Sequence, residues 1–250
     1  MTTPRCFIVR HGETEWSLNG RHTGTTDIPL TKSGEKRVRA TGRALVGRDR
    51  LIVPSQLVHI YVSPRHRAQR TLELLNLGCP DPFPWQSSQD AASTSADEPE
   101  PQTNHTVASV TIDDRICEWD YGEYEGITSA EIRSQRQAAN LPPWDIWRDG
   151  CPGGESPQDI VNRLDALIQD IRDKYHSPVI GKPKSPDMTG DVLVVGHGHI
   201  LRAFAMRWVG KPLTETALIM EAGGVGTLSY EHHSIAEPAI LLGGGFVVAD

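Results

Sequence analysis

Arg10, His11 and Gly12 follow directly on the apolar run Cys6-Phe7-Ile8-Val9, and His197 and Gly198 follow on a second run, Val192 to Gly196. An imidazole can attack an electrophile or carry a proton. A guanidinium stays charged and binds oxyanions through paired hydrogen bonds. Two histidines and an arginine delivered to strand ends can converge on one anion, and the phosphoryl group suits them. Its transfer asks the protein for a nucleophile, positioning and charge neutralisation. A histidine nucleophile must be neutral at the attacking nitrogen, with its other N–H held by an acceptor. A backbone carbonyl in the turn around Gly12 can be that acceptor.

Further charge comes from Ser63-Pro64-Arg65-His66-Arg67-Ala68-Gln69-Arg70-Thr71. Of Arg65, Arg67 and Arg70, one or two are expected to be solvated surface charges. A sugar alkoxide is a poor leaving group and needs a proton donor. The segment Glu118-Trp119-Asp120-Tyr121-Gly122-Glu123-Tyr124-Glu125 offers carboxylates, and Glu118 should sit nearest the strand end. A phosphate dianion beside it favours the protonated acid. Glu123 and Glu125 read as an acidic turn.

The elements that must hold these residues are short and buried. Strands are expected at Cys6 to Val9, Leu57 to Val62, Val110 to Ile112 and Val192 to Val195. Helices are expected at Gly34 to Val46, Ala68 to Leu77 and Gln158 to Tyr175. In the last, Ile160, Leu164, Leu167, Ile168 and Ile171 share one face, and Ser156 with Asp159 makes a capping-box-like start. Alternating strands and helices predict one α/β domain over 1–250, a three-layer α/β/α sandwich with a mostly parallel central sheet. In such sheets ligands bind beyond the carboxyl ends of the strands.

The chain has 250 residues, 38% hydrophobic, and a net charge of −7. Between Cys79 and Thr106 lie five acidic residues and no Lys or Arg. That Pro- and Ser-rich stretch reads as a flexible acidic surface insertion, over about 79–108, that buries no core. His176 to Gly190 reads as a shorter loop of the same kind. Nothing suggests a basic nucleic-acid surface, and no apolar run approaches the ~20 residues of a membrane-spanning helix. Cys6, Cys79, Cys117 and Cys151 show no paired spacing and no secretory leader is expected, so a cytoplasmic setting is the default. A small phosphorylated molecule is the expected partner, with homo-oligomerisation left open.

Together the motifs Arg10-His11-Gly12-Glu13-Thr14-Glu15-Trp16, Asp27-Ile28-Pro29-Leu30-Thr31, Ser63-Pro64-x-x-Arg67-Ala68-x-x-Thr71, Glu118-x-x-Tyr121-Gly122, Gly154-Glu155-Ser156 and Gly196-His197-Gly198 resemble the histidine phosphatase superfamily, also called phosphoglycerate mutase-like. The resemblance implies that His11 is the phosphorylated nucleophile, that Arg10, Arg67 and His197 line the phosphate pocket, and that Glu118 is the proton donor. It selects Arg67 over Arg65, places Ser17, Tyr121 and Gly198 beside the substrate, and implies neither metal nor cofactor. Within the superfamily Trp16-Ser17, His22-Thr23-Gly24, Trp144 to Cys151, Ala222 to His233 and Glu237-Pro238-Ala239 resemble the fungal sedoheptulose-1,7-bisphosphatases. This implies a phosphatase of small phosphorylated sugars, with sedoheptulose 1,7-bisphosphate as the expected substrate. The acidic insertion and a short segment between His199 and Ala222 depart from that pattern.

Other residues carry two readings. Thr23 and Gly24 either donate to the bound phosphate or make a turn before Asp27. His199 either supports His197 or fills a helix face. Arg148, His232 and His233 are candidate cations for the remote phosphate of a bisphosphate. The runs Gly223-Gly224-x-Gly226 and Gly243-Gly244-Gly245 read as tight turns. The resemblance implies that a mutase would carry a lysine several residues after the Glu118-x-x-Tyr121-Gly122 motif, where this chain has Ile127-Thr128-Ser129, so hydrolysis is favoured. A phosphatase of specialised metabolism with another ester, and an inactive binding protein, are the remaining alternatives.

Overall fold

The computed structural model describes residues 1–86, 104–185 and 188–242. A six-stranded sheet runs in the order β3-β2-β4-β1-β5-β6. Its strands are β1 (Cys6–Arg10), β2 (Leu57–Val62), β3 (Ser109–Ile112), β4 (Asp191–Gly196), β5 (Val225–Tyr230) and β6 (Pro238–Leu241). The strands β3, β2, β4 and β1 are mutually parallel. Antiparallel pairing joins β5 to β1 and β6 to β5.

Alternation along the strands builds the two faces. Cys6, Ile8, Tyr61, Val192 and Val194 face one apolar cluster, with Ile160, Leu164, Leu167, Ile168 and Ile171 of α6 (Pro157–Ile171) and Phe204 of α7 (Gly198–Trp208). Phe7, Val9, Ile60, Val62, Leu193 and Val195 face the other, with Val38 of α2 (Lys32–Leu45) and Ala68 and Leu72 of α3 (His66–Leu74). Burying both faces explains why the central strands are nearly all apolar. Each fully buried aliphatic side chain contributes about 1.5–3 kcal/mol. The three-layer, mostly parallel architecture is therefore as the sequence predicts.

Shorter helices border the site: α1 (Glu15–Asn19), α4 (Ser129–Ala138) and α5 (Ile146–Asp149). Ser156 caps α6 with Asp159 in a reciprocal capping box, as expected. The helix leaves α geometry after Ile171 and continues as a π turn over Arg172–His176.

Two expectations about loops need correction. The stretch Cys79 to Thr106 buries apolar groups at its ends: Cys79, Phe83 and Trp85 pack on the second cluster, Trp85 donates to Glu73 at 2.7 Å, and Thr106 is buried. Its acidic centre with Asp90, Asp97, Glu98 and Glu100, like the run Gly243 to Gly245, lies outside the described residues. The stretch from His176 to Gly190 is not a loose loop at its start. His176 is fully buried, with Nδ1 2.7 Å from the Tyr230 hydroxyl, and Val179 is buried too. No helix among the described residues is long and apolar enough to cross a membrane.

Candidate active site

The carboxyl ends of β1, β2 and β4 meet at one edge of the sheet, and the loops leaving them build the site. The His11 N–H donates to the Gly196 carbonyl at 2.9 Å, tying the end of β1 to that of β4. The Gly12 N–H donates to Thr71 Oγ1 at 3.0 Å, tying the same loop to α3. Gly12 is required by close approach: a Cβ there would stand 2.8 Å from Val38 Cγ2 of α2.

His11 Nδ1 lies 2.7 Å from the Gly12 carbonyl oxygen. A carbonyl only accepts, so Nδ1 carries the proton and Nε2 keeps its lone pair. Burial, then the charges of Arg67 and Arg10, push the His11 imidazole down to about 3. The ring is therefore neutral at any physiological pH, with its Nε2 lone pair free, the state expected of a histidine nucleophile.

Arg10 points along the cleft wall. Its Nη1 donates to the Met220 carbonyl at 2.6 Å, its Nε is buried without a partner, and its guanidinium lies over Gly198 at the start of α7. Glu118 is buried, and its carboxylate accepts three backbone N–H groups: Trp119 at 3.0 Å, His199 at 3.0 Å and Ile200 at 2.9 Å. Two of these belong to the first turn of α7, where helix N–H groups lack intrahelical partners and favour an anion. Glu118 thus answers the helix end that follows His197.

Arg67 and His197 sit behind His11 and not on the cleft wall. Both are fully buried. The His197 ring stands 5.1 Å from that of His11. Arg67 Nε donates to His197 Nδ1 at 3.2 Å, so the His197 proton lies on Nε2, 2.7 Å from Ser63 Oγ. Burial and Arg67 hold His197 well below the ordinary histidine range. The remaining Arg67 donors reach the carbonyls of Thr26 at 2.9 Å, Thr23 at 3.0 Å and Gly24 at 3.3 Å. Arg67 is thus a brace for the Thr23–Thr26 loop as well as a charge beside His11. Arg70 pairs with Glu35 and Glu73, as a partly exposed charge should, while Arg65 is the N-cap of α3.

The cleft holds about 300 Å³ and is lined by Arg10, His11, Ser17, Thr23, Glu118 and Gly198 among others. Tyr121 and His199 also line it, joined through Tyr121 Oη and His199 Nδ1 at 2.8 Å. His199 therefore pairs with Tyr121 and does not support His197. Ser17 spends its hydroxyl on the Thr14 capping box at the start of α1. Gly24 is a correction: its N–H, expected to face the phosphate, donates to the Glu125 carboxylate at 2.9 Å. Thr26 donates to the same carboxylate at 2.9 Å, so Glu125 is a loop clamp and not a solvated turn residue. A Cβ on Gly24 would stand 2.3 Å from the Trp119 carbonyl oxygen.

The expected cations for a remote phosphate are elsewhere. Arg148 is exposed and paired with Asp145 at 3.3 Å. His232 and His233 follow Tyr230, at the end of a strand antiparallel to β1, which places them at the opposite edge of the sheet. There His232 pairs with Glu237 and His233 with Thr3. The cleft draws its further cations from Arg21 and Arg202, beside His22 and Glu221. Arg202 Nε is buried without a partner and its guanidinium lies 4.9 Å from the Trp147 ring. Sequence reasoning missed it, although Arg202 falls three residues after His199 and so shares its helix face. Also missed was Arg163, which binds Glu155 at 2.8 Å and the carbonyls of Arg115 and Cys117, fixing the segment that carries Glu118. Among the described residues no three His, Cys, Asp or Glu side chains gather as a metal site would require.

The sequence profile of the histidine phosphatase superfamily (branch 1) matches residues 6–90 and 79–237. A sedoheptulose 1,7-bisphosphatase of Saccharomyces cerevisiae is 34% identical over 98% of this chain and 94% of its own length. An acid phosphatase of Mycobacterium tuberculosis is 33% identical over 91% of this chain and 87% of its own. The crystal structure of a phosphoglycerate mutase from Bacillus anthracis superposes with a TM-score of 0.67 at 19% identity, covering 97% of this chain and 93% of that one, which speaks to the fold.

Proposed function

This chain belongs to the histidine phosphatase superfamily and is a phosphatase, and we propose that it hydrolyses a small phosphorylated sugar, sedoheptulose 1,7-bisphosphate, through a phosphohistidine. The observation that carries this reading is one cleft lined by a neutral His11, the carboxyl group of Glu118 and three cations, Arg10, Arg21 and Arg202.

In the first step His11 Nε2 attacks phosphorus, the N–P bond forms and the P–O bond to the sugar breaks. Arg10 neutralises charge on the phosphoryl oxygens. Glu118 gives its proton to the leaving sugar oxygen and becomes a carboxylate, a state its three backbone donors receive. In the second step that carboxylate takes a proton from water, the oxygen attacks phosphorus, and phosphate leaves His11 Nε2. The Gly12 carbonyl holds the Nδ1 proton throughout, so the ring never needs to change tautomer. Arg67 contributes by its charge and by fixing His197 and the Thr23–Thr26 loop. Arg202 and Arg21 line the same cleft as further cations for a second phosphate, which supports a bisphosphate over a monoester. The likeness to the Saccharomyces cerevisiae bisphosphatase points the same way.

The test is phosphate release from a panel of sugar mono- and bisphosphates with EDTA present and 3-phosphoglycerate included. The expected result is fastest release from sedoheptulose 1,7-bisphosphate, with Arg202→Gln raising KM for the bisphosphate about tenfold or more and leaving simple monoesters little changed. Release from simple esters without preference for any sugar bisphosphate would move the enzyme to another substrate.

A further inference from the structure

A second cleft, of about 440 Å³, lies at the other edge of the sheet, where β1 and β4 begin. Arg5 precedes β1, Asp191 is the first residue of β4, Arg50 comes from the turn after α2, and Lys184 from the segment before β4. The cleft shares no residue with the catalytic one. None of Arg5, Arg50 and Lys184 has a carboxylate within ion-pair distance among the described residues. Arg70, Arg115, Arg163 and Arg207 are matched by carboxylates, whereas Arg10 and Arg202, which line the catalytic cleft, form no ion pair among the described residues. Arg50 and Lys184, unpaired among the described residues, together with Arg5, which the Asp191 carboxyl offsets only in part, concentrate positive potential where an anion can enter.

The same cleft also presents acceptors. Asp191 Oδ1 takes the Arg5 N–H at 2.8 Å, which leaves Oδ2 without a donor from a described residue. The Thr2 hydroxyl is buried and has no partner. Burial pushes the Asp191 carboxyl up to about 6. A group so easily neutralised suits a hydroxyl, whereas an ammonium would demand the charged form that burial disfavours.

We propose that this cleft is a second ligand site, distinct from the catalytic one, for a small phosphorylated polyol: the phosphate lies among Arg5, Arg50 and Lys184, and hydroxyl groups bond Asp191 and Thr2. The site stands independently of the reaction assigned to the catalytic cleft. Its position gives it a mechanical relation to that cleft nonetheless. The strands that Arg5 precedes and Asp191 opens lead directly to His11 and His197, and they pair with each other from Cys6 and Val192 to Arg10 and Gly196.

Equilibrium dialysis of labelled ribitol 5-phosphate tests the proposal, using the His11→Ala chain to prevent turnover. Arg50 and Lys184 are exposed, so Arg50→Gln/Lys184→Gln keeps the fold and leaves hydrolysis of p-nitrophenyl phosphate unchanged in the native chain. The result expected is two equivalents of ligand per chain, one in each cleft, of which one weakens about tenfold or more with that double substitution and binds about tenfold tighter than inorganic phosphate at the same site. Bound ligand unchanged by the double substitution overturns the site. Equal affinity for ribitol 5-phosphate and inorganic phosphate overturns the role of Asp191 and Thr2.

Discussion

At the scale of single residues, the chemistry rests on which atoms hold protons. The Gly12 carbonyl fixes the His11 proton on Nδ1, and burial, helped by neighbouring cations, keeps the ring neutral to about pH 3. Glu118 meets the N–H groups of α7, so it is built to receive negative charge after giving up its proton. In the proposed mechanism its acid role matters only when the leaving oxygen is a poor one. Glu118→Gln should therefore lower kcat/KM about 10²–10⁴-fold for a sugar phosphate, and far less for p-nitrophenyl phosphate, whose leaving group needs no proton. The ratio kcat/KM isolates phosphoryl transfer from the later hydrolysis. Equal losses on both substrates would reduce Glu118 to a positioning group.

Which residues gather at the cleft was legible in the sequence where strand ends are legible. His11, Arg10, Glu118, Tyr121 and Gly198 all reach the one cleft. What could not be read was the partner each group would take. Gly24 turns its N–H to Glu125, Arg67 spends its donors on carbonyls, and His199 pairs with Tyr121. Those pairings join residues far apart in the chain, and local patterns carry no record of them. Arg148, His232 and His233 failed for a related reason: charge alone made them candidates for a second phosphate, but Arg148 pairs with Asp145, and strand direction carries the two histidines to the opposite edge of the sheet.

At the scale of elements, the loop Thr23–Thr26 is gripped from two sides. Arg67 holds its carbonyls and Glu125 holds its N–H groups. Gly24 leaves no room between them for a side chain, since a Cβ would lie 2.3 Å from a backbone oxygen. Gly24→Ala should destabilise the fold by about 1–3 kcal/mol, the usual penalty of overpacking, as read from the urea midpoint. A change within 0.5 kcal/mol of zero would show that the loop is not tightly held. The elements legible in the sequence were those with one clear pattern. The strands β1, β2, β3 and β4 are apolar runs or clear alternations, and α2, α3 and α6 have one apolar stripe. By contrast α7 buries Ile200, Leu201, Ala203, Phe204, Ala205, Met206 and Trp208 and so shows no stripe. The strand β5 has glycine as its second residue, in a run that reads as a turn, because Gly226 lies tight against Ile8 of β1.

At the scale of the whole molecule, burial of imidazoles links stability to pH. Burial first holds His11 and His176 down near 3, and holds His197 and His199 well below the ordinary histidine range. In the unfolded chain these groups take protons below about 6.5, whereas the folded protein keeps them neutral. Their folded values are lowered, so stability is full above that pH and is lost as pH falls. Asp191, raised to about 6, acts the opposite way and offsets one proton between its folded value and the ordinary one near 4. The free energy of unfolding should fall between pH 7 and 5, with a slope of about 1.4 kcal/mol per pH unit for each uncompensated histidine. Urea titrations at pH 7 and 5 measure it, and a pH-independent midpoint would contradict the burial of these rings in neutral form.

The central claim is a covalent phosphate on His11. In Glu118→Gln the hydrolysis of phosphohistidine lacks its base, so the intermediate should accumulate when labelled p-nitrophenyl phosphate supplies the phosphoryl group. Rapid mixing and denaturing quench should then yield protein-bound label that is acid-labile, stable in alkali and carried by the peptide with His11. Label that is absent, that sits on another residue, or that persists when His11→Ala is added to Glu118→Gln would contradict the account.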